Sequence, residues 1–507
     1  MDEEMKPRSL IWLCNVPFNN NYKNVLTFNE RTAQLNYFND KAKIKLSKYT
    51  YVRKDNSIVV EAPFEEVNKL NYIVFSNNVK IDDSGYTFGF IISAEYVSEN
   101  STRIFYDTDV FQTYQFNIVY QKSFVEREHV SSDDIGLHTI PENLELGEYV
   151  INSHLRDTRN RTYKAILMSS ITIGEYIPAL AGVYNGIPCG YKYYGFSDIT
   201  SDDNNSLKNV LQGMVDAGKQ DAILSLFIAP SWLATDSLII PNSNAPIEYD
   251  LGISPIRSLN GYTPRNKKLL TYPYCYVLAS NNQGNDAVLK QELWNLNSSN
   301  EMVLRVKGVL CAGCSIRAIP VNYNGDDISN INGINLGKFP QIGFACDPYI
   351  NWLTENGLNI INNVGTAFGQ GITGNIGGAI GTIAGTMYSN MLGERIPPQI
   401  VGNTNSGDLM TGMGENCFHA YRMTIKQEYA KIIDSYFDMF GYKVNELKEP
   451  DIMSRPNWNY LKTINCNFTG IDIPEKDMET IKSIFDNGVT LWHHANTMYN
   501  YDADNSI

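Results

Sequence analysis

The stretch VFQTYQFNIVYQKSFV, residues 110–125, sets the fold class. Phe111, Tyr114, Phe116, Ile118, Tyr120 and Phe124 are spaced by polar residues, the near-alternation expected of strands with one buried face. The same character repeats upstream at short intervals. Ile44, Leu46 and Tyr51 sit among Lys and Thr, Ser57–Ala62 is a short β-branched run, and Tyr72–Phe75, Tyr86–Ile92 and Arg103–Tyr106 follow. Turn signals at Asn77–Asn78 and Asp83–Ser84–Gly85 separate them. Residues 8–130 therefore read as strands in an antiparallel meander, with no alternating helices to suggest a parallel sheet.

Further along the chain the signals change. Ala165–Ile173 reads as a buried strand, Asn204–Ala217 and Asp221–Phe227 as helical, and the polar clusters at 201–206 and 242–245 as loops. β character returns at Leu269–Val277, Ala287–Trp294 and Glu301–Val309. Beyond residue 411 the windows Ile425–Phe440 and Pro474–Asp486 read as helices, with Gly441 as a C-cap. No repeat of fixed period is present.

The 507 residues imply about three domains at roughly 150 residues each. Aromatics make up 12% and charged residues 19%, with Tyr well ahead of Phe, as in a folded, β-leaning chain. The net charge of −14 argues against a protein that grips nucleic acid, because phosphate contacts need Lys and Arg. An acidic wall would instead repel DNA and let it slide. Eight scattered Cys read as reduced, buried thiols rather than a disulfide framework. The start, MDEEMKPRSLIWLCNV, lacks a basic segment followed by a long apolar one, so folding in a cytoplasm is expected.

One stretch stands apart: NGLNIINNVGTAFGQGITGNIGGAIGTIAGTMYSNMLG, residues 356–393. Between Glu355 and Glu394 it contains no Asp, Glu, Lys, Arg or His. Ile372, Ile376, Ile380, Ile383 and Met387 recur in steps of three and four, which places them on one helix face. Gly374, Gly378, Gly381 and Gly385 fall nearly opposite, and Gly377, Gly381 and Gly385 form small-xxx-small steps that let helices approach closely in lipid. A helix over residues 364–387 would cross a hydrocarbon core of roughly 30 Å at about 1.5 Å per residue. Large apolar residues contribute only about −0.3 to −0.6 kcal/mol each to insertion, so one copy is marginal and several together are favoured. In water each glycine costs a helix about 1 kcal/mol relative to Ala, which marks the segment as conditional: sequestered first, released later. The candidate membrane-interacting residues are Leu358, Ile360, Ile361, Val364, Phe368, Ile372, Ile376, Ile380, Ile383, Met387, Met391 and Leu392; Gly374, Gly377, Gly378, Gly381 and Gly385 are the candidate packing glycines. Nothing within the stretch titrates in the acid range, so an acid trigger would lie in flanking groups such as Asp347, Glu355, Glu394 or Asp408.

No catalytic constellation is legible. Gly369, Gly371 and Gly374 spell G-x-G-x-x-G, but no buried strand precedes them. Cys311 and Cys314 form a lone C-x-x-C without the second pair a zinc ribbon needs. His493 and His494 are adjacent, and neighbouring positions on a strand face opposite ways. The chain reads as non-enzymatic, with no metal and no cofactor.

Five separated stretches carry a family resemblance: NVPFNNNYKNVLTF at 15–28, DVFQTYQFNIVYQKSFVEREHV at 109–130, TYPYC at 271–275, IPPQ at 396–399 and IFDNGVTLWHHANTMYNYDADN at 484–505. In content and order they resemble the tail knob, or distal tail tube, proteins of small Salasvirus-type podophages of Gram-positive bacteria. The uncharged stretch falls where that family carries its long hydrophobic loop, just before IPPQ. The resemblance implies a mainly β fold of barrel or sandwich tube domains with some α, assembled as a hexameric hollow tube. It implies a homohexamer at the distal tip of a virion tail, other tail proteins (lower collar or proximal tail tube) as partners, and loops that plug the tube. On infection those loops enter the host cytoplasmic membrane and form a channel for genome ejection, with viral DNA passing through an acidic lumen without specific binding. The expected organisation is an N-terminal β tube domain at 1–130, a middle knob or insert domain at 131–265, a second β tube domain at 266–345, the hydrophobic loop at 346–410 and an α+β segment at 411–507 that completes the tube. Residues 131–265 show little resemblance, and the loop is shorter than in the family's founding member. Two other readings fit parts of the pattern: a secreted pore-forming toxin, and a receptor-binding or wall-degrading tail protein.

Overall fold

Strand Tyr72–Ser76 (YIVFS) is buried at every position, and a strand covered on both faces has no use for alternating polar residues. In the computed structural model it pairs antiparallel with Ser9–Cys14 on one side and Tyr86–Ser98 on the other. These lie at the middle of a six-stranded sheet that continues to Ala42–Tyr49 beyond the first and to Ser101–Thr108 and Ser57–Val60 beyond the second. The structure describes residues 9–49, 57–77, 85–161, 163–178, 182–184, 187–189, 191–197, 203–233, 247–282, 286–308, 316–324, 334–335, 341–343 and 417–506. The sheet curls on itself. Its outer strands share one core, in which Ile44, Leu46, Tyr49 and Ile58 flank Ile11, Leu13, Val60, Ile73, Phe75 and Ile104. The Glu61 amide donates to the Tyr49 hydroxyl at 2.7 Å across the remaining gap.

The described chain forms two compact units. The first takes Met1–Glu145, Pro264–Leu269 and Glu428–Ile507. Within it, the other face of the curled sheet carries an aromatic core of Phe18, Phe38, Tyr72, Phe88 and Phe90 together with Trp458 and Trp492. Phe38 stacks on Tyr72 at 5.2 Å, Phe90 meets Tyr72 edge-on at 5.2 Å, and the two Trp rings lie 5.1 Å apart. Such pairs add about 0.5–1.5 kcal/mol each beyond the area they bury. The early and late chain share a sheet here. Asn24–Leu26 runs parallel to Val489–Trp492, and the sheet continues through Trp458–Ile464 and Ser123–Glu128 to Tyr442–Lys448. Helix Glu475–Asn487 contributes Ile481, Ile484 and Phe485 to the core beside this sheet.

A short segment from the centre of the sequence, Pro264–Leu269, is held in the first unit by carboxylates. Asp434, fully buried on helix Gln427–Phe440, accepts from the Arg265 amide (2.8 Å), the Asn266 amide (3.0 Å) and Asn266 Nδ2 (2.8 Å). Asp438, one turn later, accepts from Asn266 Nδ2 at 2.7 Å and pairs with Arg265. Asp133 accepts from the Lys267 amide at 2.8 Å and from the Tyr442 hydroxyl at 2.8 Å. Glu142 pairs with both Lys268 and Arg127. Buried charges persist only when partnered in this way. The helix ends at Gly441, whose φ of +62° is the left-handed conformation of a C-terminal cap and whose amide donates to Phe437 O at 2.8 Å.

The second unit takes Leu146–Thr263 and Leu270–Gln427. Among its described residues, three four-stranded sheets contribute to a single core. One runs Tyr149–Asp157, Phe418–Ile425, Cys275–Ser280, Asp286–Leu289. The second runs Lys192–Phe196, Tyr163–Ser169, Ile223–Pro230, Gln341–Gly343. The third runs Ile247–Ile253, Met302–Gly308, Ile316–Val321, Ile334–Asn335. Ala165, Leu167, Leu226, Val277, Leu304, Ala318, Phe418 and Ala420 are among the buried residues they bring together.

The antiparallel, mainly β reading therefore holds, with local corrections. Val110–Tyr114 is a helix, not a strand, because Asp109 caps it: the carboxylate accepts from the Gln112 amide at 3.1 Å. Arg31–Lys41 is likewise a helix inside a region read as strands; it buries only Gln34 and Phe38 and so shows no apolar stripe. The segment read as a helix at Asp221–Phe227 is the strand Ile223–Pro230, paired on both sides. Leu269–Val277 contributes a strand only from Cys275, after a turn containing the cis bond Tyr272–Pro273, and Ala287–Trp294 ends as a short 3-10 turn at Gln291–Leu293. The helices Leu207–Asp216, Gln427–Phe440 and Glu475–Asn487 fall where periodicity puts them.

Candidate functional site: the stem of the uncharged stretch

Residues 344–416 lie outside the described residues. They include every candidate membrane residue from Leu358 to Leu392, the packing glycines, the flanking Asp347, Glu355, Glu394 and Asp408, the G-x-G-x-x-G run and IPPQ. Cys311 and Cys314 also lie outside. What the structure provides is the stem on either side.

The chain enters the stretch from Gln341–Gly343, which pairs with Ser225, Leu226 and Phe227 at the edge of a sheet. It returns at Cys417, fully buried, into Phe418–Ile425. This return strand is internal to its sheet. His419, Ala420, Tyr421, Arg422 and Met423 face Arg156, Leu155, His154, Ser153 and Ile151 on one side, and Ser280, Ala279, Leu278, Val277 and Tyr276 on the other. Alternation puts Phe418 and Ala420 into the unit's core and His419 and Tyr421 on the opposite face. Both stems are thus sewn into one folded unit, and the uncharged residues belong to the chain between them.

On the opposite face, His154 Nε2 lies 2.8 Å from His419 Nδ1. The rings are tilted by only 13° with centroids 5.0 Å apart, so they meet edge to edge through the two nitrogens. Tyr421 lies against His154, ring to ring, at 4.4 Å and 9°, and its hydroxyl accepts from Asn282 Nδ2 at 2.8 Å. Sequence reading did not single out these three residues. The available signal was the same-face spacing of His419 and Tyr421; nothing local pointed to His154, 265 positions away.

His493 and His129 serve the fold of the first unit. His493 Nδ1 is 3.0 Å from Thr27 Oγ1 and its Nε2 3.0 Å from Asn459 Oδ1; burial lowers its pKa to about 4. His129 Nδ1 accepts from the Tyr460 amide at 2.7 Å and Nε2 faces Asp438 O at 3.0 Å, so the ring is neutral, and burial lowers its pKa to about 3. Among the described residues no three His, Cys, Asp or Glu side chains gather into a metal-binding group, and no helix is long and apolar enough to cross a membrane.

The family model for the C-terminal domain of tail knob protein gp9 of Bacillus phage phi29 matches residues 244–506, more than half of the chain. The model for the N-terminus of the caudoviral major tail protein matches residues 8–121. Tail knob protein gp9 of Bacillus phage phi29 is 26% identical over 98% of this chain and 98% of its own, and that of Bacillus phage B103 is 24% identical over 97% of each. The tail knob protein gp12 of bacteriophage C1 has the same fold, with a TM-score of 0.62, 18% identity, and 97% of this chain and 98% of that chain covered. The chain belongs to the phi29 gp9 type of phage tail knob proteins and is a structural component of the virion tail.

Proposed function

We propose that this protein forms the distal tube of a short phage tail as a homohexamer docked on other tail proteins, and that its uncharged stretch plugs the lumen until infection. On release the stretches of six subunits enter the host cytoplasmic membrane, apolar stripe toward lipid and glycine face toward neighbours. Together they form a channel for the genome, and DNA passes through an acidic lumen that does not bind it.

The observation that carries this reading is the pairing of opposites at the stem. A 38-residue run without Asp, Glu, Lys, Arg or His lies between strands built into a folded core. A segment that must leave its packing place without unfolding its subunit requires such fixed anchors. Three of the five family stretches support it as well: residues 15–28, 109–130 and 484–505 lie in one unit, where Val25, Phe111, Val125, Phe485 and Leu491 share one core and Phe18 and Leu26 pack with Trp458 and Trp492 in the next. Electron-microscopic images of the purified protein viewed end-on test the assembly. A hollow six-fold ring is expected; a compact monomer at all concentrations overturns it.

A further inference from the structure

We infer that the His154–His419 pair is a proton-sensitive latch in the strand that receives the chain from the uncharged stretch. The inference rests on the edge-to-edge contact at 2.8 Å and does not require the membrane role. A hydrogen bond between two imidazole nitrogens needs one N–H and one bare lone pair. The neutral pair supplies this, and so does the pair carrying one extra proton. The pair with two extra protons does not: both facing nitrogens then bear hydrogens, and two cations sit at contact distance. His419 is 4% exposed, so water cannot screen them well.

The surroundings set the direction of the effect. Across the strand from His419 stands Arg156, a fixed cation that opposes double protonation. On the other side His419 faces Ser280, whose hydroxyl donates to Asp286, so one carboxylate is near but engaged. Tyr421, on the same strand, lies against the His154 ring and holds it in place. The second proton is the one that breaks the contact, and the contact joins Phe418–Ile425 to Tyr149–Asp157 where the return strand begins. Acid therefore loosens the start of that strand while its continuation, from Arg422 to Ile425, stays paired.

Hydrogen exchange on the full-length protein, corrected for intrinsic rates, reads this directly. Between pH 7.5 and pH 4, the lower value chosen to force the second proton onto the pair against Arg156, amides of 418–421 and 154–157 are expected to exchange about tenfold faster relative to those of 422–425, the equivalent of one pK unit of destabilisation. His419→Gln and His154→Gln, which cannot take the proton, are expected to abolish that differential. An unchanged differential in the wild-type chain overturns the inference, and so does the same acid response in both variants. Should the variants fail to fold, a histidine NMR titration of the wild-type chain decides: two separated steps for the pair support the latch, and two independent ordinary titrations refute it.

Discussion

Asp434→Asn is the sharpest test of how Pro264–Leu269 is held in the first unit. The carboxylate is fully buried and accepts from two backbone amides and one side-chain amide at 2.8–3.0 Å. Asparagine keeps the shape but replaces one acceptor oxygen with a donor. With its remaining oxygen on Asn266, the new NH2 points at the Arg265 amide. One charge-assisted hydrogen bond, worth about 1.5–3 kcal/mol, is lost, and a buried N–H is left without an acceptor at a further cost of about 1–3 kcal/mol. The expected destabilisation is about 3–5 kcal/mol, read from the urea midpoint by Trp fluorescence. Hydrogen exchange localises it: the amides of Arg265 and Asn266 lose protection before those of strand Tyr72–Ser76. A change under about 1 kcal/mol, or full protection of both amides, would show that the segment is held by something other than Asp434.

Gly441→Ala places a Cβ 2.1 Å from Glu128 O at a φ of +62°, so a loss of at least about 2 kcal/mol is expected from denaturant unfolding, more than a residue with left-handed backbone alone would cost. Trp492→Ala empties a fully buried site against Trp458 and Tyr501 and is expected to cost about 3–5 kcal/mol, measured by calorimetry as a lowered Tm of the first unit. Acid acts on that unit in two opposed ways. His129, held neutral by burial down to about pH 3, refuses a proton that the unfolded chain accepts near 6.5, so stability falls as pH drops through that window. Asp109, whose carboxyl is raised to about 6 by burial, takes up its proton before the unfolded chain does, so it adds stability over part of the same window. At roughly 1.4 kcal/mol per pH step these two groups nearly cancel between pH 7 and 4.5, and His129→Gln should make the change in stability over that window more favourable than the wild type's by about 2.7 kcal/mol, read from urea midpoints at both pH values.

Legibility tracked how much of an element's stability is local. Helices Gln427–Phe440 and Glu475–Asn487 were readable because each buries a regular face: Ala430, Ile433, Asp434 and Phe437 in one, Ile481, Ile484 and Phe485 in the other. Arg31–Lys41 was not, because one of its two buried residues is Gln34, whose amide donates to Gln112 Oε1 at 2.9 Å and to Gln112 O at 2.8 Å. Those partners are 78 positions away. The run ILSLFIAP at 223–230 is apolar without a period, and such a run fits helix and strand alike until its neighbours are known. Pro264–Leu269 reads as a polar loop, yet Asn266 and Lys268 are almost wholly buried, since the carboxylates that receive them lie 126 to 172 positions away. The candidate site divides the same way. Composition alone marked residues 356–393, whereas the histidine contact beside their return strand depends on a strand pairing that no local pattern encodes.

Dye release from liposomes tests most directly whether the uncharged stretch is the membrane-active part. The full-length protein and a variant lacking residues 360–390 are compared after both are shown to assemble alike, over a pH series with vesicles of bacterial lipid composition. The wild-type protein is predicted to release dye and the deletion variant to release none. Equal leakage from an assembled deletion variant would contradict the account.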